Sequence, residues 1–339
     1  MYATIDSYHN LYKEEKEEKE YFSEIDCILF NTSCIYDKER NITKLYGQSK
    51  KHASRIVTTD STDTNEITCI RNHPDFLLLC KGKPDVIPSI TIYFQDGSTF
   101  EKINIVLDYP FINVPSSITK ESVIISTMCK NYSHRLEEWI KYNIKLGISG
   151  IVVFDNSDSI EPQLNEEGIY NVKTTKDICD TYKDYVVRVC YPYTPINGMH
   201  WNNIQRISLH IGVNAFKNNC SHIALIDPDE FIYLPQKEPS ITDFLQKYNS
   251  SITMKSNIVT NKNNDDYIDN NILQLDLYIG EDKYTKTILR TDLIRENEFI
   301  LTPHTHPTQL ILEKNVIIHY HTWMNNRYQY NESMPKITI

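Results

Sequence analysis

The sequence lacks any hydrophobic run of the length that a membrane span requires. A transmembrane helix needs about 20 consecutive apolar residues, and no stretch of this 339-residue chain approaches that length. The segment Met1–Asp6 and the charged run Lys13–Glu20 that follows also contain no apolar signal region. We therefore expect no membrane span and a cytoplasmic location.

Closely spaced cysteine pairs are missing as well. None of the eight Cys belongs to a Cys-x-x-Cys motif, which argues against a zinc ribbon or a thioredoxin-like site. Scattered cysteines in a chain of this length indicate buried thiols. A disulfide is the alternative if the chain is secreted, within the set Cys27, Cys34, Cys69 and Cys80.

An excess of basic residues is also absent, because the formal net charge is -10. Nucleic-acid binding requires a basic face that contacts phosphates, so we expect no nucleic-acid partner. A nucleotide ligand remains compatible with an acidic chain, since a bound metal ion supplies positive charge locally.

The chain changes in character along its length. Its 339 residues favour about two domains. We expect residues 1–20 to form a charged tail and residues 21–118 to form a small antiparallel β domain. In that domain Asp96 and Gly97 separate two β-rich runs, which predicts a hairpin. Residues 327–339 are expected to form a C-terminal tail.

Residues 119–326 alternate between strands and helices. Apolar runs at 123–128, 151–154, 186–189 and 222–226 predict strands. One predicted helix has Ser133 as its N-cap and ends at Gly147, and another extends from about Asn202 to Lys217. This alternation predicts an α/β fold with a Rossmann-like, mainly parallel sheet. Ligands of such sheets bind beyond the carboxyl ends of the strands.

Three polar clusters follow the predicted strands: Cys129–Asn131, Asp155–Ser157 and Asp227–Glu230. Within the last, Asp227 and Asp229 place two carboxylates where they can converge on one hard cation. Mg²⁺ or Mn²⁺ held in this way usually completes its shell with substrate phosphates. The pattern predicts a metal site that neutralises a departing diphosphate. The alternative is a pair of acidic residues that merely caps a loop.

Histidines near the C-terminal end provide candidates for a third metal ligand, because imidazole suits ions of the Mn²⁺ class. They occur as two pairs with one residue between the members: His304 and His306, and His319 and His321. For each of them, a hydrogen-bonded loop histidine is the alternative.

Basic and amide side chains provide candidates for contacts with phosphates. Lys286 and Arg290 share one side of a predicted strand, where a solvated strand face is the alternative. Gln205, with Asn202 and Arg206, lies near the start of a predicted helix, where anions are favoured. A polar helix face explains these residues equally well.

The order of these motifs resembles glycosyltransferase family 92 and the related family-2-like transferases. The resemblance begins with Met128–Asn131, Leu136–Tyr142, Leu146–Ile148 and Val153–Ser157. It continues with Gln205, with Leu225–Phe231 and with His319-Tyr320, and covers about residues 122–323. Tyr132 is a departure, because the family usually has an acidic residue there.

The resemblance implies a GT-A fold, a nucleotide-sugar donor with UDP favoured, and Mn²⁺ or Mg²⁺ at Asp227 and Asp229. His306 and His319 are the corresponding candidates for an additional metal ligand. The implied reaction is transfer of a hexose, with galactose as the first guess, to a glycan acceptor with inversion. The candidate donor-binding residues are Thr127, Lys130, Asn131, Asp155, Gln205, Lys286 and Arg290.

Direct displacement also requires a carboxylate that deprotonates the acceptor hydroxyl. The stretch after Asp229 contains the candidates, and the sequence does not rank them: Asp276, Glu281, Asp292, Glu296 and Glu298.

Two other functions are compatible with parts of the sequence. A haloacid-dehalogenase-like phosphatase also places Asp-x-Asp after an apolar strand, but Phe231 stands where that family has Thr or Val. A non-catalytic carbohydrate-binding protein built on the β domain would leave Asp227 and Asp229 unexplained.

Overall fold

The computed structural model describes residues 27–59, 64–83, 86–106, 112, 114–157, 174–196, 198–234, 238–261, 277–319 and 336–337. The predicted tail at residues 1–20 lies outside this part of the chain. Among the described residues the protein is a mixed α/β structure that consists mostly of sheet. The same residues contain no helix with both the length and the apolar character that crossing a membrane requires.

Strands up to residue 106 form two antiparallel sheets. They are β1 (Cys27–Leu29), β2 (Ile35–Asp37), β3 (Ile42–Ser49), β4 (Ala53–Thr59), β5 (Thr64–Glu66), β6 (Thr68–Asn72), β7 (Asp75–Lys81), β8 (Val86–Phe94) and β9 (Thr99–Val106). The first sheet has the order β1-β3-β7-β6, with β2 also paired to β3, and the second has the order β5-β4-β8-β9. The β8–β9 hairpin turns at Gly97, whose φ of 84° suits glycine, so the Asp96-Gly97 turn is confirmed.

The rest of the chain builds one large sheet and its helices. Its elements are β10 (Val123–Cys129), α1 (Ser133–Leu146), β11 (Gly150–Asp155), α2 (Thr175–Thr181), β12 (Val186–Cys190), α3 (Asn202–Phe216), β13 (His222–Leu225), β14 (Glu230–Tyr233), α4 (Ile241–Leu245), β15 (Ser251–Asn261), β16 (Leu277–Arg290), β17 (Gln309–His319) and β18 (Lys336–Ile337).

Strand pairing makes this sheet mixed. Its order is β12-β11-β10-β13-β16-β15-β17-β14, with β18 also paired to β16. The neighbours β12, β11, β10 and β13 are parallel, as the alternation of strands and helices predicted. Beyond β13 the pairing is antiparallel except for β15 with β17. The α/β class is therefore confirmed, but the sheet is mixed and not mainly parallel as expected, because antiparallel pairing joins β13 to β16, β16 to β15 and β17 to β14.

Apolar side chains cover both faces of the large sheet. Leu136 and Trp139 of α1 pack in a buried cluster on one face. Ile207 of α3 packs on the other face, in a cluster that also contains Tyr46 and Leu77 of the first antiparallel sheet. The N-terminal sheet thus shares a hydrophobic core with α3. The boundary at residue 118 stays a prediction.

Helix α1 starts one residue differently from the prediction. Ser133 is its first residue, and the preceding Tyr132 occupies the N-cap position without a side-chain capping bond. The predicted C-terminal end is confirmed, since Gly147 has a φ of 100° and its N–H donates to carbonyls of the last turn.

Helix α3 approaches the sheet closely at Gly212. A Cβ there would lie 2.2 Å from Ser126 Oγ on β10, so only glycine permits this contact. Because α3 connects β12 to β13, two parallel strands, it runs back across the sheet from the carboxyl ends of the strands to their amino ends. Its first turn, which carries Gln205, therefore lies at the edge where ligands of parallel sheets bind.

Candidate functional site

A closed turn follows β13 directly and contains both predicted metal ligands. The N–H of Glu230 donates to the Asp227 carbonyl at 3.0 Å, and the N–H of Asp227 donates to Glu230 Oε2 at 2.9 Å. The buried indole of Trp139 donates to the Glu230 carbonyl at 2.6 Å. These bonds fix the turn through Glu230, which is buried, and leave the Asp227 side chain about 30% exposed.

The Asp227 carboxylate is held from two sides. Gln205 Nε2 donates to Oδ1 at 2.8 Å, and Lys286 Nζ donates to Oδ2. Lys286 comes from β16, where Thr287 pairs with Leu225 at the end of β13. The structure thus brings together three residues that the sequence predicted for the site, Gln205, Asp227 and Lys286.

Lys286 also compensates a second carboxylate, because its Nζ lies 3.0 Å from Glu230 Oε2. Burial by itself lowers the pKa of Lys286, but Asp227 and Glu230 raise it, and the net pKa lies above its usual value. The ammonium group is therefore charged at neutral pH.

Asp227 and Asp229 have the chemistry that a hard cation requires. Both are partly exposed in the same turn and supply carboxylate oxygens, the usual protein ligands of Mg²⁺ and Mn²⁺. Across the described part of the chain, no group of three or more His, Cys, Asp or Glu side chains is arranged to hold a metal. Two carboxylates with the remaining positions left to water and phosphate fit such an ion.

The candidate histidines lie in different surroundings. His306 donates its backbone N–H to Gln309 Oε1 at 2.9 Å, and its Nε2 lies 3.4 Å from Glu298 Oε1. His304 Nδ1 lies 2.5 Å from the Thr285 carbonyl. The pairing of β14 with β17 puts the His319 backbone opposite Glu230. The His319 side chain and all of His321 lie outside the described residues.

A polar cluster, called here the Asp155 corner, is formed where β10 and β11 end side by side. The N–H of Asn156 donates to the Cys129 carbonyl at 2.8 Å, and the N–H of Asn131 donates to Ser157 Oγ at 3.2 Å. The N–H of Ser157 donates to Asp155 Oδ1 at 3.1 Å. The loops after the two strands are therefore joined into one structure, which contains Asn131 and Asp155.

Arg188 is a part of this corner that the sequence analysis missed. Its Nε donates to Asp155 Oδ2 at 2.6 Å from the neighbouring strand β12. Burial lowers the pKa of Arg188 and Asp155 raises it, with a net upward shift. The signal was a single charged residue inside the otherwise apolar run Val186–Val189.

Two further candidates differ in their access to a ligand. Thr127 is buried, with 1% exposure, and its Oγ1 has no hydrogen-bond partner within the described part of the chain. Lys130 Nζ lies 4.9 Å from the centre of the Trp201 ring, just before α3. Lys130 and Trp201 therefore connect the Asp155 corner to the helix that carries Gln205.

Three candidates lie at the opposite edge of the sheet. Arg290 pairs in register with His222, at the start of β13, and donates to Asp292 at 2.8 and 2.9 Å. Glu296 accepts a hydrogen bond from Lys44 at 2.6 Å and lies 3.1 Å from Lys217. The structure does not bring these residues to Asp227.

Comparison with known proteins finds similarity over part of the chain. No protein-family model matches the sequence. A stretch of 128 residues, 38% of this chain, is 27% identical to a glycosyltransferase family 92 protein of Oryza sativa subsp. japonica. The chain covers 18% of that relative's length. Over the matched stretch, this similarity supports a glycosyltransferase-family-92-like assignment of the chain.

Proposed function

We propose that the protein is a metal-dependent glycosyltransferase that moves a hexose from a UDP-sugar to a hydroxyl of a glycan acceptor. Galactose is our first choice of sugar and inversion our choice of stereochemistry, both from the family resemblance. The observation that carries the proposal is the Asp227 carboxylate. It lies in the turn that follows the buried parallel strand β13, is oriented by Gln205 and Lys286, and shares its edge of the sheet with the Asp155 corner.

The two parts of the site would bind different parts of the nucleotide-sugar donor. Asp155, oriented by Arg188, and the backbone around Asn131 would bind the nucleoside, with Lys130 beside them. Asp227 and Asp229 would hold Mn²⁺ or Mg²⁺, which when bound neutralises charge on the departing diphosphate. Lys286 orients Asp227, and the N-terminal end of α3 adds a favourable field for the diphosphate.

The displacement itself requires a base. The acceptor hydroxyl oxygen attacks the anomeric carbon as the bond to the diphosphate oxygen breaks, and its proton passes to a carboxylate. Asp292 and Glu296 are committed to ion pairs at the other edge of the sheet, so we propose neither as this base. Asp276, Glu281 and Glu298 stay open as the base. Glu298 lies 3.4 Å from His306, whereas Asp276 and the Glu281 side chain lie outside the described residues.

The test is a measurement of donor binding and turnover. Calorimetric titration with UDP and thermal unfolding with a panel of UDP- and GDP-sugars are carried out with and without Mn²⁺. We expect stabilisation by one UDP-sugar in the presence of Mn²⁺, lost in Asp229→Asn. The matched control Asp180→Asn changes an exposed carboxylate on α2 and should behave like the wild type.

Other outcomes identify the alternatives. A folded protein that responds to no nucleotide sugar with metal present contradicts the proposal. Turnover of a phosphate monoester that depends on Asp227 would instead indicate a phosphatase. Glycan binding that chelation leaves unchanged, without donor binding, would indicate a carbohydrate-binding protein.

A further inference from the structure

A cavity of about 620 Å³ lies at the amino ends of the parallel strands, the edge opposite Asp227. Its walls come from the segment before β10, the start of β13, the loop after α3, α4 and the end of β16. The volume falls in the range of small-molecule sites. None of the residues that we place in the donor site lines it.

The charges that line this cavity are balanced. Its basic side chains are Lys120, Lys217 and Arg290, and its acidic side chains are Glu121, Asp292 and Glu296. Within this set Arg290 pairs with Asp292 at 2.8 Å, and Lys217 lies 3.1 Å from Glu296. A lining of this kind does not select a phosphate or a carboxylate, so it favours an uncharged ligand.

His222 supplies a hydrogen-bond acceptor in the wall. The hydroxyl of Ser221 lies 3.1 and 2.9 Å from the carbonyls of Glu121 and Ser122 and shares its single proton between them, which leaves its oxygen as an acceptor. Ser221 Oγ therefore accepts the bond from His222 Nδ1, 3.0 Å away, and the proton of the neutral ring is on Nδ1. Nε2 then presents a lone pair.

No described residue donates to that lone pair. His222 is 7% exposed, and its Nε2 is buried without a hydrogen bond within the described residues. Burial and the nearby Arg290 lower the pKa of His222 to about 4, so the ring is uncharged at pH 7. The other charged group that acts on the ring is Asp292, which raises its pKa. Leaving such an acceptor unsatisfied destabilises the protein, and a ligand donor offsets that cost.

The cavity lining has the other features of a site for a polar, uncharged molecule. Asn218, Gln246 and Asn249 provide amide groups, and Tyr248 provides an aromatic ring. Arg290 beside His222 donates to Asp292, to the Tyr248 carbonyl at 3.2 Å and to Asn249 Oδ1 at 3.1 Å. A ligand that reaches Nε2 must therefore displace the Arg290 side chain and replace these bonds with its own polar groups.

We propose that this cavity is a second binding site, for an uncharged saccharide, in which a ligand hydroxyl donates to His222 Nε2. Saccharides fit because they carry many hydroxyl donors and acceptors and no charge. The site is separate from the donor site at Asp227 and does not require the transferase reaction.

The test measures saccharide binding by the full chain on an array of neutral oligosaccharides, followed by calorimetric titration of the best binder. His222→Phe keeps a ring of similar shape and removes the acceptor. We expect at least a tenfold weaker affinity in this variant. The exposed His52 provides the matched control, and His52→Phe should bind like the wild type.

Two additional variants separate a loss of saccharide binding from poor folding and from a loss of donor binding. Asn249→Trp changes an exposed residue of the lining and should block the cavity even if His222→Phe folds poorly. Asp229→Asn should keep saccharide binding while it loses donor binding, so the two proposals fail separately. The proposal is overturned if no neutral saccharide binds, if binding survives both cavity variants, or if inorganic phosphate competes for the site.

Discussion

Arg206 donates two hydrogen bonds to Asp75, at 2.7 and 2.9 Å, and so joins helix α3 to the N-terminal antiparallel sheet. Asp75 is buried and also accepts a bond from Gln48 at 2.8 Å. His210 Nδ1 accepts the N–H of Ile300 at 2.7 Å, so its Nε2 carries the proton and donates to Asp75 at 3.0 Å. This network fixes helix α3, in which Gln205, the residue before Arg206, orients Asp227.

Substitution of Asp75 by Asn should strongly destabilise the protein. The change leaves the Arg206 charge and the His210 N–H without their carboxylate in a buried site, which costs about 3 kcal/mol or more. Urea denaturation measures the free energy of unfolding. The control Asp180→Asn removes the exposed partner of Lys176 and should change stability little. Equal effects of the two substitutions would contradict this role of Asp75.

The lowered pKa of Asp75 predicts how the free energy of unfolding depends on pH in the acid range. Burial raises the pKa of Asp75, but His210, Arg206 and Gln48 lower it, and the net pKa is about 2. The unfolded-state pKa is about 3.9. Because the folded pKa is the lower one, the stabilisation is complete above about pH 5 and is lost as the pH falls towards 2.

Urea midpoints measured between pH 6 and pH 2.5 test this dependence. Asp75→Asn should flatten the decline below pH 4. Part of the decline should persist, because the pKa of Glu296 is also lowered to about 2: Lys44 and Lys217 outweigh the effect of its burial. An unchanged pH profile in Asp75→Asn would show that its carboxylate is not ionised preferentially in the folded state.

Local sequence was sufficient to predict the elements that carry the site. The apolar runs that became β10, β11, β12 and β13, the Asp96-Gly97 turn and the end of α1 at Gly147 all follow from short-range patterns. The position of Asp227 at a carboxyl end followed from the same patterns. Each of these features depends on residues within one element and its flanking turns.

Long-range pairing was not predictable from those patterns. Lys286 and Arg290 were expected to face phosphates together, but four residues of a strand span about 13 Å. Since β16 runs antiparallel to the short β13, Lys286 reaches Asp227 while Arg290 lies opposite His222. The Asp75–Arg206 contact joins residues 131 positions apart, and no local signal specifies it.

Gly212→Ala should destabilise the protein although alanine is the better helix former. The new Cβ would lie 2.2 Å from Ser126 Oγ and 3.2 Å from the Phe154 ring. Overpacking of this kind costs about 1–3 kcal/mol, more than the gain of up to about 1 kcal/mol in helix propensity. Thermal unfolding measures the difference.

A second substitution tests the cause. Ser126 Oγ has no hydrogen-bond partner among the described residues, so Ser126→Ala alone should cost little. The double variant Gly212→Ala with Ser126→Ala should regain part of the lost stability, because the contacts of the new Cβ with Ser126 Cβ at 3.1 Å and with Phe154 at 3.2 Å remain. If it does not, the close approach of α3 to β10 at this point is not the source of the effect.

Lys286→Gln should strengthen the binding of Mn²⁺ in the absence of nucleotide. The substitution removes a buried positive charge from Asp227 and Glu230, and a unit charge at this range is worth a few kcal/mol at an effective dielectric constant of about 20. We expect a gain in Mn²⁺ affinity of at least tenfold, measured by electron paramagnetic resonance. Lys176→Gln, an exposed lysine on α2, serves as the control. Unchanged Mn²⁺ affinity in Lys286→Gln would argue against Asp227 as a ligand.

Arg188→Leu should weaken nucleotide binding without weakening Mn²⁺ binding. Arg188 contacts Asp155 at 2.6 Å, in the corner that we propose for the nucleoside, whereas the metal ligands are on the turn after β13. Without Arg188 the Asp155 carboxylate is no longer held in one orientation for the ligand. We therefore expect about a tenfold loss of UDP affinity. Arg188→Lys keeps the charge but not the planar group and should give an intermediate value. If UDP affinity stays at the wild-type level while only the melting temperature falls, Arg188 stabilises the fold and does not position Asp155 for the donor.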